Sequence, residues 1–64
     1  SRVNINSASW LELVQLPQVG PVTAKRIVDD RIKKGPFTTI EDLQRVRGIG
    51  PKTVMRLREL VRIE

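Results

Sequence analysis

The 64 residues predict an all-α fold, with two copies of one helical unit packed as a compact domain. Three observations predict it. Shifting the chain by 30 positions places Leu13 on Leu43, Gly20 on Gly50, Pro21 on Pro51, Thr23 on Thr53 and Arg26 on Arg56. Between these identities like falls on like: Ser9 on Thr39, Glu12 on Asp42, Leu16 on Val46, Val19 on Ile49 and Ile27 on Leu57. Self-similarity at a fixed offset marks a duplicated supersecondary unit. Within each copy, apolar residues recur at helical spacing on both sides of a Gly-Pro step. No stretch alternates long enough for a central strand.

Taken in order, Val3-Asn4-Ile5-Asn6 is an extended lead-in that tucks Val3 and Ile5 onto the core. Asn4 and Asn6 suit turns or caps there. Ser9 is an N-cap with Glu12 three residues on, the spacing of a capping box. Trp10, Leu13 and Val14 then give a short helix with one buried face, and Ala24, Ile27, Val28 and Ile32 a longer one after the turn. Gly35-Pro36 breaks the chain between copies, and Phe37 closes over the junction as a core residue. Thr39 with Asp42 repeats the capping box, and Thr38 with Glu41 offers an alternative start. Ile40, Leu43 and Val46, then Val54, Leu57, Leu60 and Val61, supply the helices of the second copy. The units run over about 9–34 and about 38–62 of one domain, 1–64.

Composition excludes several function classes. A chain near 60 residues buries only about 60% of the surface its unfolded form exposes, which leaves no room for a two-domain enzyme with a deep pocket. Cys and His are both absent, so a disulfide scaffold, a zinc finger and a histidine general base are all unavailable. No cofactor is implied. Apolar residues never run beyond two in a row, so no membrane contact is expected of these residues. The chain opens on Ser1 rather than Met, as a processed or excised piece would. Lys and Arg total 12 against 7 Asp and Glu, for a net charge of +5 and a pI near 10.8. That balance points to polyanions, although such charge also serves solubility alone.

Chemistry concentrates in Gly48-Ile49-Gly50-Pro51-Lys52-Thr53. Gly48 permits a positive-φ turn that a Cβ would penalise by about 1–2 kcal/mol. Ile49 anchors the turn in the core, and Gly50 lets a ligand approach the backbone closely. Pro51 suits the first position of a helix, where its missing N–H is not needed. The free amides of Gly50, Lys52 and Thr53 then project from a helix N-terminus, an arrangement that favours anions. Lys52 opposes the helix dipole unless an anion sits between them. The first copy departs from this pattern. Gln18 stands where Gly48 stands, so either Gln18 takes a strained turn or the loop differs, and Val22 replaces Lys52.

Leu13 to Ile27, with Leu16-Pro17-Gln18-Val19-Gly20-Pro21, and Leu43 to Leu57, with Val46-Arg47-Gly48-Ile49-Gly50-Pro51, both resemble the helix-hairpin-helix motif. Val3 to Ser9, Gly35-Pro36-Phe37 and Glu41-Asp42-Leu43 extend the likeness, over nearly the whole chain, to the DNA-binding domain of ComEA-type competence proteins. The resemblance implies a compact SAM-like fold whose two hairpins, related by a pseudo-twofold, grip phosphates on opposite strands across a minor groove of duplex DNA, without reading bases. Its donors would be the amides of Gly50, Lys52 and Thr53 and of Gly20, Val22 and Thr23. Some members hold a monovalent cation on hairpin carbonyls, here those of Gln44, Val46 and Ile49. A competence role would place the domain outside the cytoplasm, tethered to the membrane through a segment outside these residues. Similar tandem units occur in repair proteins, chromosome-binding kinesins and a photosystem extrinsic subunit.

Local charge pairing decides which cations are free. Asp29 precedes Lys33, and Asp30 precedes Lys34, by four residues, the favourable helical order; Lys25 and Arg26 can reach the same acids in the weaker order. Arg45 has Glu41 four residues before it, and Glu59 can reach Arg62. Arg47 and Lys52 have no acid three or four residues away, and Arg56 has only Glu59. The expected contact set is therefore Arg47, Gly48, Gly50, Lys52, Thr53 and Arg56, joined by Gly20, Val22, Thr23 and Lys25 of the first copy. Base readout is not expected, because amide–phosphate contacts position without specifying sequence. Single-strand stacking needs several exposed aromatics, whereas Trp10 and Phe37 both read as buried. The competing class is a protein-interaction module of the same fold. Catalysis is not expected: glycosylases that resemble this hairpin carry a lysine at the position of Lys52, but they also need a distant acid and a second lobe.

Overall fold

The computed structural model describes residues 2–64. Strand β1 (Val3–Asn4) leads into α1 (Trp10–Leu13), α2 (Pro21–Lys34), a 3-10 helix (Ile40–Arg45), α3 (Pro51–Leu57) and strand β2 (Val61–Arg62). The fold is all-α apart from these two strands of two residues each. Both capping boxes form. Ser9 Oγ accepts the Glu12 amide at 3.3 Å, and the Glu12 carboxylate accepts the Ser9 amide at 3.1 Å. In the second copy one oxygen of Asp42 gathers the Thr38 amide (3.0 Å), the Thr38 hydroxyl (2.7 Å) and the Thr39 amide (3.2 Å). Thr38 thus joins the Asp42 cap and does not start a helix with Glu41.

The leading segment of each copy is shorter and tighter than an amphipathic α-helix. Trp10, Leu13, Leu16 and Val19 are spaced by three, as are Ile40, Leu43, Val46 and Ile49. A spacing of three aligns side chains on the 3.0-residue turn of a 3-10 helix. The structure uses this: the amides of Leu16 and Val19 bond the carbonyls of Leu13 and Leu16, and those of Val46 and Ile49 bond Leu43 and Val46. The bonds repeat at the offset of the sequence repeat.

One core forms from both copies. Ile5, Leu13, Ile27, Phe37, Leu43, Leu57 and Val61 are each 0–1% exposed. Phe37 is locked by Asn6, whose Oδ1 accepts its amide at 2.8 Å and whose Nδ2 donates to its carbonyl at 2.9 Å. Asn4 makes the expected local turn, accepting the Asn6 amide at 3.1 Å.

Three apolar residues expected on buried helix faces lie outside the core. Ile32 is 73% exposed, because at about 100° per residue it points away from the line of Ala24 and Ile27, the two residues of α2 that are fully buried. Trp10 is 44% exposed: its ring lies over the start of α2, with the indole N–H on the Pro21 carbonyl at 3.1 Å. Leu60 is 43% exposed because α3 ends at Leu57 and the chain turns. That turn lets β2 pair in parallel with β1, Val3 against Val61, with the amides of Val3 and Ile5 bonded to Leu60 and Arg62 at 2.9 and 3.0 Å. Val61 is buried from a strand and not, as its spacing suggests, from a helix.

Candidate nucleic-acid interface

Each hairpin ends in an extended glycine that caps a helix with proline at its first position. Gly20 (φ −86°) precedes α2 and Gly50 (φ −112°) precedes α3. Their carbonyls accept the first helical bonds, from Ala24 at 2.9 Å and Val54 at 3.1 Å. The amides of Gly20, Val22 and Thr23, and of Gly50, Lys52 and Thr53, have no acceptor among the described residues. A Cβ built on Gly20 or Gly50 meets nothing within 4 Å, so the space beside each glycine is open. These two glycines have no backbone need for glycine; what they leave is room.

Gly48 differs. Its φ is 103°, and a Cβ there would stand 3.3 Å from the Thr23 hydroxyl and 3.5 Å from Nη1 of Arg26. Gln18, its counterpart, also takes a positive φ, 64°, so the first loop keeps the turn and accepts the strain. The contacts across the pseudo-twofold match. Gly48 packs on Thr23 of α2, and the Thr53 hydroxyl of α3 donates to Oε1 of Gln18 at 3.2 Å. Each loop thereby touches the first turn of the other copy's helix, which sets the two helix N-termini side by side.

The charges around the hairpins pair differently from their sequence spacing. Arg45 bonds Asp30 at 2.5 Å instead of Glu41, donates to the Gly35 carbonyl and lies 4.3 Å over the Phe37 ring. This pair ties the 3-10 helix to α2. Glu41 pairs with Arg58 instead, and the Arg58 guanidinium holds its carboxyl below the ordinary 4.5. Asp29 takes Lys25 at 3.9 Å, which leaves Lys33 without an ion pair among the described residues. Asp30 takes Lys34 at 3.8 Å, as expected. Arg62 pairs with Glu64 at 3.3 Å rather than with Glu59. Arg26 turns away from the acids and donates to the Arg47 carbonyl at 3.2 Å. Arg47, Lys52 and Arg56 make no ion pair among the described residues.

The two hairpins therefore present different surfaces. Beside the second lie three unpaired cations. Beside the first, Trp10, Pro21, Val22 and Val28 line a shallow apolar groove of about 550 Å³, with Lys25 and Asp29, already paired, at its edge. Sequence reasoning missed the exposed Trp10, and it missed Arg26 and Lys33 as available cations; no sequence spacing records where α2 lies against the second hairpin. Of the three carbonyls expected on a cation, Val46 already accepts the Ile49 amide at 3.1 Å, whereas Gln44 and Ile49 accept no bond. Uncharged carbonyl oxygens of this kind fit a hard monovalent ion. Among the described residues no group of three or more carboxylates could hold a metal.

Known proteins with the same pattern support the reading of the repeat. The chain is 39% identical over 62 residues to ComE operon protein 1 of Bacillus subtilis (strain 168), covering 97% of this chain and 30% of that protein. It is 40% identical over 60 residues to the human Endonuclease/exonuclease/phosphatase family domain-containing protein 1, covering 94% of this chain and 10% of the relative. It is 36% identical over 61 residues to the human S1 RNA-binding domain-containing protein 1, of which it covers 6%. The chain thus spans less than a third of the length of each of these relatives. The helix-hairpin-helix motif pattern matches residues 1–62, across both hairpins and the segment that joins them, and the chain belongs to that family.

Proposed function

We propose that this domain binds duplex DNA without sequence preference, as the DNA-receptor domain of a competence-type protein. The observation that carries the reading is the second hairpin: three unanswered amides on Gly50, Lys52 and Thr53, open space beside Gly50, and Arg47, Lys52 and Arg56 with no ion pair among the described residues. Phosphate oxygens accept from helix N-terminal amides, and a neighbouring lysine adds point-charge attraction. Gly48 shapes the turn that presents these amides and belongs with them to the contact set. The amides of Gly20, Val22 and Thr23, with Lys25, take the opposite strand across the minor groove. A monovalent cation on the carbonyls of Gln44, Val46 and Ile49 would add positive charge at the second turn.

The domain acts as a binding module and not as a catalyst. The acids near the hairpins are engaged structurally: Asp29 and Asp30 in pairs with Lys25, Lys34 and Arg45, Glu41 with Arg58, and Asp42 in its cap. A second reading, a protein-interaction module, is favoured by one feature, the apolar groove around Trp10 and Val22. Salt separates the two. Titrating unrelated duplexes should give equal affinities whose log–log salt slope is about −0.9 per phosphate neutralised. Lys52→Ala should weaken binding to every sequence alike and reduce that slope by about 1. Absence of binding to any duplex at low salt would end the DNA reading, and a protein complex that survives salt abolishing DNA binding would replace it.

A further inference from the structure

A cleft of about 320 Å³ runs between α2 and the second hairpin, and five cations line it: Arg26, Lys33, Lys34, Arg45 and Arg47. The two carboxylates among them are already occupied. Asp30, only 9% exposed, holds Arg45 at 2.5 Å and Lys34 at 3.8 Å on the floor, and Asp29 holds Lys25 at 3.9 Å. Arg26, Lys33 and Arg47 are left at the rim with no carboxylate partner among the described residues. Arg26 is moored by its bond to the Arg47 carbonyl, at 3.2 Å, so two arginines mark the hairpin end of the cleft. Lys33 lies two turns further along α2, about 10 Å at 1.5 Å per residue.

We propose that this cleft carries the sugar–phosphate backbone of one DNA strand onward from the second hairpin, through Arg26, Lys33 and Arg47. The proposal rests on the DNA-binding reading above. A run of about 10 Å along a strand takes about two neighbouring phosphates, because the backbone path between them is longer than the roughly 3.4 Å of axial rise per nucleotide. Guanidinium forks suit phosphate oxygens, and a lysine suits a single charge at the far end. Continuity with the hairpin selects nucleic acid over an acidic peptide, because Nη1 of Arg26 lies 3.5 Å from the place of a Gly48 Cβ, in the turn that presents the amides. The cleft adds electrostatic contacts and no base readout.

The test is a salt titration of a random-sequence duplex with wild type and the variants Lys33→Ala, Lys33→Glu, Lys52→Ala and Arg58→Ala. The Lys33 side chain makes no hydrogen bond or ion pair among the described residues, so its variants should melt like wild type. Arg58, paired with Glu41 and outside the cleft, removes the same charge elsewhere. Lys33→Ala should lower the magnitude of the salt slope by about 0.9, Lys33→Glu should weaken binding further, and Arg58→Ala should leave the slope unchanged. A wild type that binds no duplex overturns this proposal together with the reading beneath it. A wild type weakened by Lys52→Ala but not by Lys33→Ala overturns the cleft alone. So does an Arg58→Ala slope reduced as far as that of Lys33→Ala.

Discussion

Alanine at Gly48 and alanine at Gly50 should have opposite consequences, although the two positions are only two residues apart. Gly48 sits at φ 103°, and its missing Cβ would lie 3.3 Å from Oγ1 of Thr23. Left-handed backbone costs an L-residue about 1–2 kcal/mol. Alanine also stiffens the unfolded chain, which returns about 0.4–1 kcal/mol. Crowding against Thr23, held on the first turn of α2, adds to the cost, so the net loss is about 1–2 kcal/mol. At roughly 0.05–0.15 kcal/mol per residue a domain this size holds only about 3–10 kcal/mol in all. The melting temperature should fall by about 5–15 °C, at about 4–8 °C per kcal/mol. Gly50 is extended at φ −112° with nothing within 4 Å, so no strain arises. The weaker N-cap preference of alanine and the stiffer unfolded chain nearly cancel, and Gly50→Ala should melt within about 3 °C of wild type. Its methyl group instead enters the open space beside Gly50 and should weaken duplex binding. Circular-dichroism melts with anisotropy titrations read both quantities. A Gly48→Ala protein as stable as Gly50→Ala would refute the account of the turn.

Two further predictions concern the caps and the core. Thr38 and Thr39 donate to the Asp42 carboxylate, the Thr38 hydroxyl most strongly, and hold its pKa down from 3.8 to about 2. A depressed carboxylate stabilises the fold fully above its unfolded pKa and loses that contribution as pH falls through the folded value. Acid melts should therefore show a loss between about pH 4 and pH 2 that Asp42→Asn lacks; an equally steep loss in that variant would exclude Asp42 as its source. Phe37→Ala, at a position 1% exposed, should cost about 3–5 kcal/mol, much of the total stability, and lower the urea midpoint accordingly. An unchanged midpoint would mean that Phe37 does not anchor the junction.

Local chemistry was readable wherever the deciding atoms are close in sequence. The Ser9–Glu12 and Thr39–Asp42 caps, the positive φ of Gly48 and the helices begun by Pro21 and Pro51 all follow from residues within four positions of one another. Periodicity overreached at the edge of a helical face. Ile32 follows Val28 by four, but it lies to one side of the Ala24–Ile27 line that enters the core, and it is exposed. Charge pairing was the least readable. Helical spacing offers Asp29 both Lys33 and Lys25, and Asp29 takes Lys25; it offers Arg45 only Glu41, yet Arg45 reaches across to Asp30. An exposed pair four residues apart gains only about 0.3–0.5 kcal/mol, so a nearly buried carboxylate on another element outcompetes it.

The sequence by itself determined the duplication, the turn at Gly48 and the helix starts at Pro21 and Pro51, because these depend on repeat offset and on glycine and proline conformation, and it left the turn at Gln18 open. Only the tertiary structure decided what the duplication produces. Gln18 meets Thr53 and Gly48 meets Thr23 because the two copies dock about their pseudo-twofold, and that docking brings two sets of free amides side by side. It also ends α3 at Leu57 despite a helix-favouring sequence beyond, since pairing β2 with β1 buries Val61 and satisfies the amides of Val3 and Ile5. The cleft of Arg26, Lys33 and Arg47 arises in the same way, from residues up to 21 positions apart that no local pattern connects. Backbone conformation is set by near neighbours. The surface that the molecule offers is set by which elements burial forces together.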